Sequence, residues 1–345
     1  MGYSFSIIIP VYNEINIIDK FVKKLDKTFK DHNPKIIFIN DGSSDGTTEW
    51  LKKNLIKVFS NKNFELIDLK KNHGKGYAVR KGIEKIVGDY SIFIDSDLEY
   101  DPNDALELFH IVNKNENKNI KALFGSRYIG GKLQLRRHFF NDIAVRINTW
   151  IFNVLFNQSI TDLHSGTKII KNSLLKSLKL TVNGFGHEID ISSQISIKNI
   201  NIYETGISYI ERTFEEGKKI TVVDGILSYY YLFVTRFFYN DIYTQISMLY
   251  SLSFMTYIGT FFGMGIGKFM ITIIFAFVGL VNAMHRKVFA LSTIFLFIYL
   301  GSLFSQGNGR IYPILLFYFF SLWFTKKIFG QSLRKNNKSF LNFFI

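Results

Sequence analysis

Asp95, Asp97 and Glu99 alternate with other residues in I-F-I-D-S-D-L-E-Y-D-P, residues 92–102. Carboxylates this close repel one another unless a cation joins them. A hard divalent ion that also takes phosphate oxygens is the natural partner. The bland alternative is a solvated acidic turn, the commoner fate of a lone D-x-D. The run Ile92-Phe93-Ile94 ahead of the carboxylates reads as a buried strand of a parallel sheet. Ligands of open α/β sheets sit outside the carboxyl ends of such strands. Asp101 then reads as the N-cap of a helix, with Pro102 and Asp104 in its first turn.

Stepping along the chain, three more apolar strands precede this one. Residues 4–11 end at the tip Tyr12-Asn13-Glu14. Ile36 to Ile39 end in N-D-G-S-S-D-G-T, and Phe64 to Leu69 lead into N-H-G-K-G, which opens a helix. Ile18, Phe21, Val22, Leu25 and Phe29 recur at helical spacing between the first two strands. Alternating strands and helices give a doubly wound α/β sheet with right-handed crossovers, and the polar strand tips converge on one edge. Those tips suit a nucleotide: glycines admit phosphates close to the backbone, and helix N-termini supply unpaired N–H donors. Acidic groups at the first two tips could accept from a base or ribose. No G-x-x-x-x-G-K-[ST] is present, and G-x-G-x-x-G is missing after the first strand, which argues against a dinucleotide cofactor.

Charge is unevenly spread. Residues 1–241 hold 33 Lys and Arg against 28 Asp and Glu, whereas 242–345 hold nine basic residues and no acid. The net charge of +14 therefore belongs largely to an apolar segment, which suggests an anionic membrane surface rather than nucleic acid. Cysteine is absent, so disulfides and Cys nucleophiles are excluded. No signal peptide precedes the first strand.

The motifs P-V-Y-N-E, N-D-G-S-S-D-G-T, H-G-K-G-Y-A-V-R and D-S-D-L-E-Y-D-P, in this order, resemble a family-two glycosyltransferase of the GT-A fold. F-G-S-R-Y at 124–128, D-L-H-S-G-T-K at 162–168 and R-T-F-E-E-G-K-K-I at 212–220 are similar to the branch of dolichyl- and polyprenyl-phosphate sugar synthases. The resemblance implies a mixed doubly wound sheet in residues 1–225. It implies that Pro10, Tyr12, Glu14, Asp41 and Asp95 hold the nucleotide-sugar donor. Asp95, Asp97 and Glu99 would hold Mg2+ or Mn2+, although many relatives have Gln where Glu99 stands. Asp97, Arg127 and Arg212 would serve catalysis. Arg137, Asn141 and Lys218 would meet the acceptor phosphate, with Asn141 where relatives carry Ser. Lys219 is a weaker candidate. The bland alternatives are an exposed salt-bridged arginine for Arg127 and a solvated charged face for 212–219. His73, His164 and His187 lack metal-ligand spacing and read as structural.

Phe140, Ile143, Ile147, Ile151, Val154 and Leu155 form a helical stripe behind Arg136 and Arg137. A helix over 136–157 would lie in a membrane interface or serve as an ordinary core helix. Gln134 to His138 almost spells the Q-x-x-R-W of processive polysaccharide synthases, with His138 where Trp is needed. The aromatic run 228–239 reads as a second interface helix over 226–241. Four apolar stretches in 242–330 have the length of short membrane spans, and a basic tail follows over 331–345. The positive-inside rule places the catalytic domain and the tail together in the cytoplasm. The stretches contain no Asp or Glu and serve as anchor and packing rather than as an ion path.

The expected activity is inverting transfer of one hexose from a GDP-mannose- or UDP-glucose-type donor to a polyprenyl phosphate. A saccharide acceptor would require a general base, for which Glu188 or Asp190 would serve. A catalytically silent membrane protein that binds nucleotide-sugar or flips lipid is the rival from another class, and a homo-oligomer stays open.

Overall fold

The computed structural model describes residues 2–60, 63–213, 215 and 222–238. The four expected spans, the basic tail, Lys218 and Lys219 lie outside the described residues. The chain divides into two compact units, Met1–Tyr239 and Asn240–Ile345.

Four strands and three helices alternate through the first hundred residues: β1 (Phe5–Val11), α1 (Ile18–Thr28), β2 (Lys35–Asn40), α2 (Thr47–Val58), β3 (Phe64–Asp68), α3 (Lys75–Ile83) and β4 (Tyr90–Phe93). Then come α4 (Pro102–Lys114), β5 (Ala122–Ser126), β6 (Gln134–Leu135), α5 (Phe139–Phe156), β7 (Lys168–Lys171), α6 (Asn172–Leu175) and α7 (His187–Ile197). β8 (Tyr203–Gly206), β9 (Tyr209–Ile210) and α8 (Val222–Phe238) complete the described chain. Seven strands form one sheet in the order β3-β2-β1-β4-β7-β5-β8. β7 runs antiparallel to both β4 and β5, and the other pairs are parallel, so the sheet is mixed as expected.

The period of two along each strand builds a layer on each face. Ile7, Ile9, Ile36, Phe38 and Ile92 face α1, α2 and α4. Ile8, Ile37, Ile39 and Phe93 face α3 and α7. Burial on both faces explains why these strands read as continuous apolar runs.

β1 connects outward to β2 and β3 on one side, and β4 pairs with it on the other. The order reverses at β1, so a crevice opens beyond the carboxyl ends of β1 and β4. Tyr12 and Glu14 follow one of these ends, and Asp95 and Asp97 follow the other. Asp101 caps α4 as expected: its side chain accepts from the Asn103 N–H at 2.9 Å, with Pro102 opening the helix.

α8 packs on α7 and, less extensively, on α5. Asn148 Nδ2 donates to Ser228 Oγ at 2.5 Å, and Thr235 Oγ1 donates to Ser193 Oγ at 3.0 Å. α5 buries Phe152 and Leu155 and exposes Phe139, Phe140 and Trp150. Among the described residues, no helix is long and apolar enough to cross a membrane.

Candidate active site

The tip of β1 is held by the loop after β2. Asn13 N–H donates to Ser43 Oγ (2.9 Å), Ser44 N–H to Asn13 Oδ1 (2.8 Å) and Glu14 N–H to Thr47 Oγ1 (2.9 Å). Asp41 is buried, and its two oxygens accept the N–H groups of His73 (2.9 Å) and Gly74 (2.8 Å). It therefore braces the entry to α3 while lining the cavity described below. Gly42 permits this turn at a φ of +67°, where a Cβ would meet the Lys71 carbonyl carbon at 2.3 Å.

Five carboxylates gather at the crevice: Glu14, Asp95, Asp97, Glu99 and Glu188. Two cations thread between them. The Arg212 guanidinium lies 3.1 Å from Glu14, 3.3 Å from Asp97 and 3.5 Å from Glu99. Its backbone N–H also donates to Glu99 Oε1 at 3.1 Å. Lys75 Nζ lies 2.9 Å from Asp95 and 3.2 Å from Glu188. Burial opposes both cationic charges, but the facing carboxylates outweigh it and raise both pKa values. The Asp97 carboxyl is pushed up to about 7, first by burial and then by Glu99 and Asp95, against the pull of Arg212. Negative charge is thus in excess here even with both cations seated.

Glu99 is engaged by protein groups: its Oε2 accepts from Tyr209 Oη at 3.0 Å, and its Oε1 faces Arg212. Among the described residues, no three His, Asp or Glu side chains form a ready-made metal cluster. The three-carboxylate ligand set expected from the sequence is therefore not preassembled.

Arg127 stands on a second rigid support. Its Nε and Nη2 form a fork with Asp162 at 2.7 and 2.8 Å, and its N–H adds a third bond at 3.0 Å. Asp162 is fully buried; burial favours its neutral form, but Arg127 overcomes this and keeps its pKa low. The salt bridge anticipated as the bland reading of Arg127 is real, and it sits at the cavity rather than on an outer surface.

The five carboxylates, Lys75, Arg127 and Arg212 face one cavity of about 700 Å³. Pro10, Tyr12, Glu14 and Asp41 line it, as do Phe140, Asn141 and Ser228. Every described candidate from the sequence lines it except Arg137 and the alternative base Asp190. Arg137 is instead drawn to Glu211: its N–H reaches the carboxylate at 2.5 Å and its Nε the carbonyl at 2.9 Å. Arg136 takes the place on the cavity wall, with its guanidinium 4.9 Å from the Tyr128 ring centroid. Sequence reasoning also passed over Lys75, although H-G-K-G had marked the segment. It passed over Asp162 as the partner of Arg127, although D-L-H-S-G-T-K contains it.

The sequence profile of the family described as glycosyl transferase family 2 matches residues 6–178. The chain belongs to that family. It is a glycosyltransferase. An uncharacterised protein of Methanocaldococcus jannaschii is 32% identical over 212 residues, covering 58% of this chain and 86% of that protein. A dolichyl-phosphate beta-glucosyltransferase of Dictyostelium discoideum is 28% identical over 217 residues, covering 60% of this chain and 66% of its own. Among solved structures, glucosyl-3-phosphoglycerate synthase from Mycobacterium tuberculosis in complex with Mg2+ and UDP superposes with a TM-score of 0.51. At 18% identity it covers 68% of this chain and 79% of that one. This likeness establishes the GT-A-like mixed α/β fold.

Proposed function

We propose that this glycosyltransferase moves one hexose, glucose in the first instance, from a UDP-sugar to a polyprenyl phosphate, with inversion. One observation carries the reading: a single cavity is lined both by the carboxylates at the strand tips, with Arg212 seated among them, and by Arg127 and Arg136. The dolichyl-phosphate glucosyltransferase among the relatives supports the acceptor and the sugar. The exposed Phe139, Phe140 and Trp150 of α5 support a membrane surface beside that cavity. The apolar composition of 242–345 supports an integral anchor, with the catalytic unit on the cytoplasmic face.

A phosphate monoester oxygen is already ionised near neutral pH, so no general base is needed. Cations must instead neutralise the acceptor and the leaving diphosphate. Arg127, locked by Asp162, offers a fixed charge at the acceptor side. Arg212 is held by three carboxylates and can turn toward a diphosphate that enters among them. The residues fit a divalent ion: the donors are hard oxygens, and their charge exceeds that of Lys75 and Arg212. Asp97, with Asp95 beside it, would hold Mg2+ or Mn2+, whose chemistry is to neutralise the leaving diphosphate. The comparison structure containing Mg2+ and UDP supports this assignment.

The saccharide-acceptor reading needs a free base, and both candidates are engaged. Asp190 is fully buried and accepts from Thr181 N–H, Val182 N–H and Gln194 Nε2. Glu188 is held by Lys75 and His187. The test is transfer from radiolabelled UDP-glucose and GDP-mannose to polyprenyl phosphate in mixed micelles by the purified chain. Label in the lipid phase that requires the lipid's phosphate is the expected result. Label that enters only a free saccharide would overturn the reading.

A further inference from the structure

Behind Asp95 lies a row of buried charged and polar groups that the transfer reaction does not use directly. Glu188, in the first turn of α7, is 5% exposed. Its Oε1 faces Lys75 Nζ at 3.2 Å, and its Oε2 faces His187 Nδ1 at 3.0 Å. Burial holds the His187 pKa well below its usual value, so the ring is neutral. Nδ1 has two acceptors, Glu188 and the Gly184 carbonyl at 3.3 Å, so Nδ1 carries the proton and donates. Both oxygens of Glu188 are thereby filled. On its other side the Lys75 ammonium reaches both oxygens of Asp95 at 2.9 Å. One lysine is thus shared between Asp95, an expected metal-site carboxylate, and Glu188, which is not one of the expected ligands.

We infer that Glu188 is a positioning residue: by sharing Lys75 with Asp95 it loosens the lysine's hold on Asp95 and keeps that carboxylate available to a divalent cation. This rests on the reading that Asp95 and Asp97 hold such an ion. Lys75 and the cation compete for the same oxygens. Two like charges cannot both lie against one carboxylate in a buried site without strong repulsion. The Glu188 charge gives the displaced ammonium a place to stay, so exchange leaves neither a bare lysine nor a bare carboxylate. Without it, Lys75 would belong to Asp95 alone, and the cation would have to break a tighter pair.

The experiment is direct Mn2+ binding to the purified full chain in the presence of UDP, read by loss of the free-ion electron paramagnetic resonance signal. Glu188→Gln keeps the size and a hydrogen bond but removes the charge. It should weaken Mn2+ binding about tenfold, equivalent to about 1.4 kcal/mol. Lys75→Gln alone should tighten binding, because Asp95 loses its competitor. In the Lys75→Gln background, Glu188→Gln should change affinity by less than about twofold, since the lysine it acts through is gone. An equal tenfold loss in both backgrounds would mean that Glu188 acts by its field alone and would overturn the inference. So would an unchanged affinity of the single Glu188→Gln variant beside a wild type that binds, with the metal reading left standing. A wild type that binds no Mn2+ with UDP would remove both readings. If circular-dichroism melting finds Lys75→Gln unfolded, Glu188→Asp replaces it. That variant keeps the charge and withdraws it from Lys75 by about one bond length. An affinity at least about threefold weaker than wild type supports the shared lysine, and wild-type affinity overturns it.

Discussion

A Cβ on Gly166 would stand 2.2 Å from Oδ2 of Asp95, so the backbone of one residue forms the seat for the carboxylate of the other. Tyr100 closes the same pocket, its hydroxyl accepting the Gly166 N–H at 3.3 Å. Gly166, two residues before β7, is therefore part of the donor site.

Gly166→Ala should expel the Asp95 side chain while leaving the sheet intact, because the clash falls on a side-chain end. A displacement of about 1 Å at a reacting site costs on the order of a hundredfold in rate. We expect kcat/KM for the donor to fall about that much, with a thermal midpoint near wild type. Steady-state kinetics and a melting curve on one preparation check both halves. A variant that keeps full turnover would remove Asp95 from the donor site.

The Arg127–Asp162 pair yields a stability prediction. Asp162→Asn removes the counter-charge from a buried guanidinium and leaves the fork incomplete. Breaking a buried pair from one side costs about 3–5 kcal/mol. Urea unfolding of the variant should fall within that range, and activity should drop because Arg127 loses its fixed direction. A loss below about 1 kcal/mol would mean that water compensates for the missing charge.

Much of this was legible in the sequence, and the reason differs from place to place. Ile7 to Ile9 and Ile36 to Ile39 announced buried strands because both sheet faces are covered. Asp101-Pro102 announced a helix start because the cap acts over three residues. The antiparallel β7 left no such mark: Lys168 to Lys171 is a short apolar pair between lysines, and its direction is set by where the chain returns. The partnerships Lys75–Glu188 and Arg127–Asp162 join segments 113 and 35 residues apart, beyond the reach of any local pattern. Motif order picked out residues that come to line one cavity but not which of them hold one another.

His164 sets a pH dependence. Burial lowers its pKa to about 4 from an ordinary 6.5, so the folded chain keeps the ring neutral where the unfolded chain protonates it. Below pH 6.5 the unfolded state binds the extra proton, so this contribution is complete above that pH and is lost as pH falls toward 4. The loss amounts to about 3 kcal/mol at the acid end. Unfolding free energy should thus decline between pH 6.5 and 4, and His164→Gln should flatten that slope. Parallel slopes for wild type and variant would show that the ring titrates freely.

The pair Arg136 and Arg137 tests the acceptor end. Both follow β6, where successive side chains point to opposite sides. One residue of register decides which guanidinium meets the lipid phosphate, and composition cannot decide it. The fold turns Arg137 to Glu211 and sets Arg136 against Tyr128 on the cavity wall. Arg136→Ala should therefore raise the KM for polyprenyl phosphate by about ten- to a hundredfold, the worth of a charge-assisted phosphate contact of 1.5–3 kcal/mol. Donor KM should hardly move. Arg136→Lys should recover part of the loss, since a point charge replaces a fork. Arg137→Ala should leave acceptor KM within about threefold and act mainly on stability, because it takes the Nε donor from the Glu211 carbonyl while the backbone N–H bond to the Glu211 carboxylate remains. Kinetics with donor and acceptor varied separately distinguish the two arginines. If Arg137→Ala rather than Arg136→Ala carries the acceptor defect, Arg136 is not the residue that meets the lipid phosphate.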